Sequence, residues 1–120
     1  LNFIWMNVNK FGRNTGKGKP EQVVLDDEVH YYNLLAEELE ILQPDVCLFF
    51  TGPNYDGDIR QKISDIEYHE FAGYCVRKVA KLCSKHLPKL SYRTYHPGYG
   101  NRISETYQDI LNAILKDCKR

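Results

Sequence analysis

The sequence predicts one α/β domain over residues 1–120, a three-layer sandwich with a mostly parallel central sheet flanked by helices. Three observations lead to this fold class. The 120 residues, 42% hydrophobic and 27% charged, have the size and composition of one globular domain. Short apolar runs alternate with segments of helical periodicity. One run, residues 46–50, is apolar at every position, which is typical of a strand buried on both faces of a parallel sheet.

The N-terminal part of the chain is predicted to hold a strand, a loop and a helix. Residues 3–6 form an apolar run of strand length that ends at Asn7. Residues 9–20 combine glycine, asparagine and proline with lysine and arginine, which indicates a basic loop. Apolar residues then recur at steps of three and four over residues 25–42. They lie on one face of a predicted helix, which Pro44 ends.

The C-terminal part is predicted to hold two helices and at least one strand. The predicted elements are a short helix over 58–63, a strand over 91–95 and an amphipathic helix over 103–118. Residues 64–89 are ambiguous, because the pattern over 77–82 fits either a helix or an edge strand. We favour the strand there.

Charge is segregated along the chain, although the formal net charge is zero. Residues 1–20 carry four basic and no acidic residues, and residues 71–104 carry seven basic and no acidic residues. Residues 21–70 are strongly acidic. If the two basic blocks meet in space, they form a positive face that suits DNA or another phosphate-bearing partner. The alternative is that acidic helices pair with the basic segments across the surface.

Several classes of protein are not predicted. No apolar run reaches the ~18 residues that a membrane helix needs, and no secretory signal is present, so we expect no membrane partner. The cysteines form no CxxC pair and the histidines have no ligand spacing, so no metal is expected. The glycines fit no phosphate-binding motif, and no cofactor is expected. Four cysteines without a secretory signal indicate free thiols in the cytoplasm. Nothing in the sequence indicates an oligomeric state.

Polar residues follow each of the three predicted strands. Ligands of parallel sheets bind outside the carboxyl ends of the strands, so we expect Asn7, Thr51 and His96 at one sheet edge. An imidazole there can donate a hydrogen bond to charge that develops on a ligand. The amide of Asn7 offers a donor beside an acceptor, which suits the edge of a nucleobase. The plain alternatives are a strand-end histidine and a turn-forming asparagine.

These segments together resemble the last three core strands of the uracil-DNA glycosylase superfamily. The matching stretches are FIWMN at 3–7, PDVCLFFTG at 44–52 and YHPG at 95–98, in the same order and with the same intervening helix. The resemblance covers nearly the whole chain but only the C-terminal part of that fold. It implies a DNA-repair glycosylase that cleaves the N-glycosidic bond of uracil or another damaged base. The alternative is a non-catalytic module that binds nucleic acid or a nucleotide.

The resemblance also implies roles for individual residues. His96 would be catalytic, donating to the uracil oxygen as the glycosidic bond breaks. The implied substrate-binding residues are Asn7, Thr51, Gly52 and Tyr99. The implied DNA-binding residues are Lys10, Arg13, Lys17, Lys19, Gly98, Gly100 and Arg102.

The sequence departs from the family pattern at two places. Gly98 stands where the family has serine, and Tyr99 stands near the place of an apolar wedge. The family residue that binds the attacking water would precede Leu1, so we expect this chain to be an incomplete or inactive piece of a glycosylase. Asp56 is the one acid expected at the correct edge of the sheet that could take that place, and a helix cap is its plain alternative.

Overall fold

The computed structural model describes residues 3–6, 8, 22–23, 34–98 and 105–119. Within these ranges the helices are α1 (Leu34–Leu42), α2 (Asp56–Lys62) and α3 (Glu105–Cys118). The strands are β1 (Val46–Phe49), β2 (Glu67–Glu70), β3 (Val79–Cys83) and β4 (Leu90–Thr94). No helix in these ranges is long and apolar enough to cross a membrane.

The four strands form one mixed sheet in the order β1-β4-β3-β2. Only β1 and β4 are parallel, and β3 is antiparallel to both of its neighbours. The predicted fold class, with a mostly parallel central sheet, is therefore wrong. The reason is the length of a connection: residues 84–89 join β3 to β4, whereas a parallel crossover needs about a dozen residues or more.

Two strand predictions need correction. A strand does form near 77–82, at Val79–Cys83, but it lies inside the sheet and not at its edge. The edges are β1 and β2. The sequence did not predict β2, whose mostly exposed, charged residues are typical of edge strands. The apolar run 3–6 is not a strand, and Phe3, Ile4 and Trp5 are 83%, 64% and 64% exposed.

The sheet packs a hydrophobic cluster on each face. Val79 and Ala80 are neighbours in β3, so they point to opposite faces, and they belong to different clusters. The cluster around Ala80 contains residues of α1 and α2: Leu35, Leu39, Ile59 and, just after α2, Ile63. The cluster around Val79 contains Ile110 and Ile114 of α3. The predicted amphipathic face of the last helix is thus confirmed over the described residues.

The first described helix ends where the sequence predicts. The Gln43 backbone is left-handed, with a φ of 44°, and its N–H donates to the carbonyl of Leu39 at 2.9 Å. Pro44 follows and cannot continue the helix, so the predicted stop is confirmed. The predicted helical residues 25–33 lie outside the described residues.

β1 pairs in parallel with a neighbouring strand, as predicted, but it is not buried on both faces. Val46 pairs with Leu90 and Phe49 with Arg93, in parallel. Cys47 and Phe49 pack into the cluster around Ala80, but Val46 and Leu48 are 38% and 42% exposed. The prediction that both faces of this strand are buried is therefore wrong.

A carboxylate ties the end of α3 to the sheet. The Tyr92 hydroxyl and the Lys81 ammonium both donate to Oδ2 of Asp117. Burial, and then the hydrogen bond with Asp117, raise the pKa of Tyr92. The last turn of the helix is thus held against β3 and β4.

A buried ion pair joins β4 to α2. Nε and Nη2 of Arg93 donate to the two carboxylate oxygens of Asp56, each at 2.9 Å, and Nη1 donates to the carbonyl of Arg77 at 3.3 Å. The Arg93 side chain is fully buried, and its guanidinium lies 5.6 Å from the ring centroid of Tyr68. The pair joins a basic residue to the acidic part of the chain, but it is buried and Arg93 lies in a strand, so it is not the surface pairing that the alternative charge interpretation expects.

We expect Asp56→Asn to lower the free energy of unfolding by about 3 kcal/mol, because it leaves a buried guanidinium without its counter-charge. Urea unfolding followed by circular dichroism measures this. The double variant Asp56→Asn with Arg93→Met removes both charges and should be more stable than Asp56→Asn alone. A single variant within about 0.5 kcal/mol of the unsubstituted protein would contradict the role of the pair.

Burial raises the pKa of the Cys47 thiol to about 12 from its ordinary 9.0. The folded state therefore keeps the thiol proton to a higher pH than the unfolded state does. The contribution of this thiol to the free energy of unfolding is complete below pH 9.0 and is lost as the pH rises toward 12. At mildly alkaline pH we expect maleimide to label the exposed thiols of Cys75 and Cys83, and Cys47 only after unfolding. Mass spectrometry of the labelled peptides, with Cys47→Ser as control, measures this; rapid labelling of Cys47 in the folded protein would refute it.

Candidate functional site

The exits of β1 and β4 lie side by side at one edge of the sheet. The two strands are parallel neighbours, so their carboxyl ends coincide, and the Gly52 N–H donates to the carbonyl of Thr94 at 3.0 Å. Gly52 is buried with a φ of 68°, a conformation that other residues rarely adopt. The structure thus brings Thr51 and Gly52 close to the segment that carries His96. The roles given to these residues remain predictions.

The backbone that leads to His96 is held from two further sides. The hydroxyl of Tyr107, on α3, donates to the carbonyl of Tyr95 at 2.9 Å. The hydroxyl of Thr94 donates to the carbonyl of Lys78 at 2.9 Å. His96 therefore leaves the sheet from a backbone that is fixed by hydrogen bonds to several elements.

One hydrogen bond determines the tautomer of His96. Its Nδ1 accepts from the backbone N–H of Gly98 at 2.9 Å. A neutral imidazole that accepts at Nδ1 carries its proton on Nε2. The side chain is exposed, and in the described part of the chain no group takes this second nitrogen as a partner. The Nε2–H is thus a donor on an exposed side chain.

Gly98 is tightly packed against the imidazole. A Cβ at this position would lie 3.3 Å from both Cε1 and Nδ1 of His96, a close contact. The absence of a side chain therefore allows the Gly98 N–H to reach the ring. This gives a physical reason for glycine at this position.

Trp5 lies beside His96, and the sequence did not predict this proximity. The two ring centroids are 6.4 Å apart and the ring planes are at 87°. Three residues later, the carbonyl of Val8 accepts a hydrogen bond from the buried ammonium of Lys62 on α2. The only signal in the sequence was an aromatic residue in an apolar run, and that run was attributed to a strand.

The carboxylate of Asp56 is engaged by the fold. It belongs to the first residue of α2, and both of its oxygens accept hydrogen bonds from Arg93. A carboxylate held in this way is poorly suited to take a proton from water. Asp56 therefore serves mainly as the partner of Arg93 in the ion pair, and not as the helix cap that was the alternative prediction for it.

Most of the predicted DNA-binding residues lie outside the described residues, and so do residues 9–20 and 99–104 of the predicted positive face. The predicted site residues that fall there are Asn7, Lys10, Arg13, Lys17, Lys19, Tyr99, Gly100 and Arg102. Among the residues that the structure describes, no group of three or more His, Cys, Asp or Glu could hold a metal ion.

Comparison with known proteins found no similarity from which to assign a family. No protein-family model, curated protein or solved structure matches the chain.

We expect Gly98→Pro to remove the tautomer preference of His96, because proline has no N–H to donate to Nδ1. ¹⁵N NMR of the neutral imidazole measures it: the unsubstituted protein should show a protonated Nε2 and an accepting Nδ1, and the variant a mixture. Gly98→Ala keeps the N–H but crowds the ring, so its effect should be smaller. The signals of the exposed His86 serve as the internal control. An unchanged His96 spectrum in Gly98→Pro would show that the hydrogen bond does not determine the tautomer.

Proposed function

We propose that this chain carries the base-binding part of a DNA glycosylase site, which acts on uracil or another damaged base. The observation that carries the proposal is the hydrogen bond from Gly98 to Nδ1 of His96, which leaves the Nε2–H of a neutral imidazole available at the exit of β4. The resemblance of residues 44–52 and 95–98 to the uracil-DNA glycosylase superfamily supports the same role, whereas residues 3–6, also part of that resemblance, do not form a strand.

The chemistry needs such a donor on the leaving-group side. When the glycosidic bond breaks, its electron pair goes to the base, which departs as an anion, and positive charge develops on the sugar. A preorganised N–H donor near a carbonyl oxygen of the base stabilises that anion. His96 supplies this donor from a fixed backbone, because the neighbouring carbonyls of Thr94 and Tyr95 are already bound.

The proposed substrate is a base that has left the helix stack. The glycosidic bond is hidden in a duplex, so the nucleotide has to be extruded or presented in a single strand. We propose that Asn7 and the Thr51-Gly52 turn contact the base. The basic residues of the 9–20 loop and Arg102 would neutralise phosphates of the DNA backbone.

A second function, binding without hydrolysis, is favoured by the state of Asp56. Completion of the reaction requires water to attack the sugar and to lose a proton to a base. Asp56 is the acid that the sequence offered for this step, and Arg93 holds both of its oxygens. A module that binds a nucleobase or a nucleotide needs the donor of His96 but not the base that activates water.

We expect His96→Ala to reduce uracil release by about 10²–10³-fold, which is the usual effect of removing one preorganised donor. The assay is release of uracil from a uracil-containing oligonucleotide, with His86→Ala as the matched control. It is run with the chain alone and with any sequence that its gene encodes upstream of Leu1. An active protein whose His96→Ala variant is fully active would refute the role of His96. Binding of the oligonucleotide without release in either form would support the second function.

A further inference from the structure

Two exposed basic residues, Arg77 and Lys78, lie at the same end of the sheet as His96. β3 runs antiparallel to β4, so the start of β3 lies at the end where β4 exits. In that register Val79 pairs with Thr94, which is two residues before His96. Arg77 and Lys78 directly precede β3, and both are exposed. Two long basic side chains therefore leave the fold close to the exit of β4.

The backbone of Arg77 and Lys78 is held by β4. The Thr94 hydroxyl donates to the carbonyl of Lys78 at 2.9 Å, and Nη1 of Arg93 donates to the carbonyl of Arg77 at 3.3 Å. The N–H of Lys78 donates in turn to the carbonyl of Cys75 at 3.0 Å, which closes the turn before β3. Only main-chain atoms of Arg77 and Lys78 take part in these bonds. Their side chains are therefore presented from a backbone that the fold fixes.

The fold does not neutralise the charges of Arg77 and Lys78. Residues 71–98 contain six basic and no acidic residues, and the two less exposed ones, Lys81 and Arg93, form ion pairs with carboxylates. In the described part of the chain no such pair involves Arg77 or Lys78. The acidic strand β2 lies on the other side of β3, away from β4. Two positive charges are therefore available to a partner at the exit of β4.

We propose that Arg77 and Lys78 bind phosphate groups of the DNA strand next to the nucleotide whose base contacts His96. This inference rests on the proposed function and deepens it, since it gives the path of the strand from the exit of β4 toward the start of β3. Phosphates carry no information about the base sequence, so these contacts position the strand and add affinity for any sequence. Both residues are described, so the proposal is independent of the basic 9–20 loop.

The opposite end of the sheet offers a control of equal charge. Residues 84–89 join β3 to β4 there and carry Lys85 and Lys89, both exposed. β3 has five residues, which separate the two ends by about 13 Å. The Debye length is about 10 Å at about 0.1 M salt, so this distant pair is largely screened from a strand bound at the exit of β4.

Binding is measured by fluorescence anisotropy over a range of salt concentrations. The probe is a labelled single-stranded oligodeoxynucleotide with one 2′-fluoro-2′-deoxyuridine, whose fluorine opposes positive charge at the sugar and so slows cleavage. A second strand has thymidine in place of that nucleotide. Because phosphate contacts do not depend on the base, we expect each variant to change the affinity for both strands by the same factor.

The double variant Arg77→Ala with Lys78→Ala should weaken binding by about 25-fold at about 0.1 M salt. Each phosphate contact of a single strand adds about 0.7 to the slope of log K against log salt, which is about fivefold over one decade of salt. The slope should therefore become less steep by about 1.4. Arg77→Lys keeps the charge and should weaken binding by less than about threefold.

The control variant Lys85→Ala with Lys89→Ala should leave the affinity within about twofold and the slope unchanged. Neither double variant removes a carbonyl that Arg93 or Thr94 binds, so both should fold, which thermal melts check.

The outcomes distinguish this proposal from the proposed function. A loss confined to the Arg77 and Lys78 variant, equal for both strands and without uracil release, would support the phosphate contacts and count against the glycosylase. Uracil release that depends on His96, with an unchanged KM and affinity in that variant, would support the glycosylase and overturn the phosphate contacts. An equal loss in both double variants would also overturn them, since the protein would then attract DNA by charge spread over its surface. The absence of binding to either strand would overturn them as well.

Discussion

The buried ion pair between Arg93 and Asp56 is the constraint on which the rest of this structure depends. A guanidinium with no exposed surface is stable only when its charge is paired and its donors are satisfied. Asp56 pairs the charge and takes two of the N–H groups, and the carbonyl of Arg77 takes a third. The pair also fixes where α2 begins relative to β4, and hence the path of the chain that leaves β1.

β4 transmits this order to the candidate site. Its side chains and backbone are held by different elements in succession: Tyr92 by Asp117 of α3, Arg93 by α2, and the carbonyl of Thr94 by the exit of β1. The carbonyl of Tyr95 is then held by α3 again. His96 follows this series directly, so the backbone that leads to it is fixed by the fold, and the Gly98 N–H occupies Nδ1 of its ring.

The two candidate functions differ in one chemical group. Both proposals use the Nε2–H of His96. Hydrolysis needs in addition a group that activates water, and the carboxylate nearest in the chain to the exit of β1 is engaged by Arg93. The ion pair that stabilises the fold thus withdraws the acid that the sequence offered for catalysis.

Patterns in the sequence determined those elements that depend only on residues close together in the chain. The periodicity of α3 and the stop of α1 at Pro44 follow from steric and hydrophobic rules that act over a few residues. The polar exits of β1 and β4 were also predictable, because β1 is apolar, β4 is rich in strand-forming residues, and turn residues follow both. Only the tertiary structure decided the direction of β3, the edge position of β2 and the burial of Arg93. These depend on which strand pairs with which and on which charge lies opposite, and both are contacts between residues far apart in the chain. The tautomer of His96 was likewise decided by the folded turn, because it depends on where the Gly98 N–H lies in space.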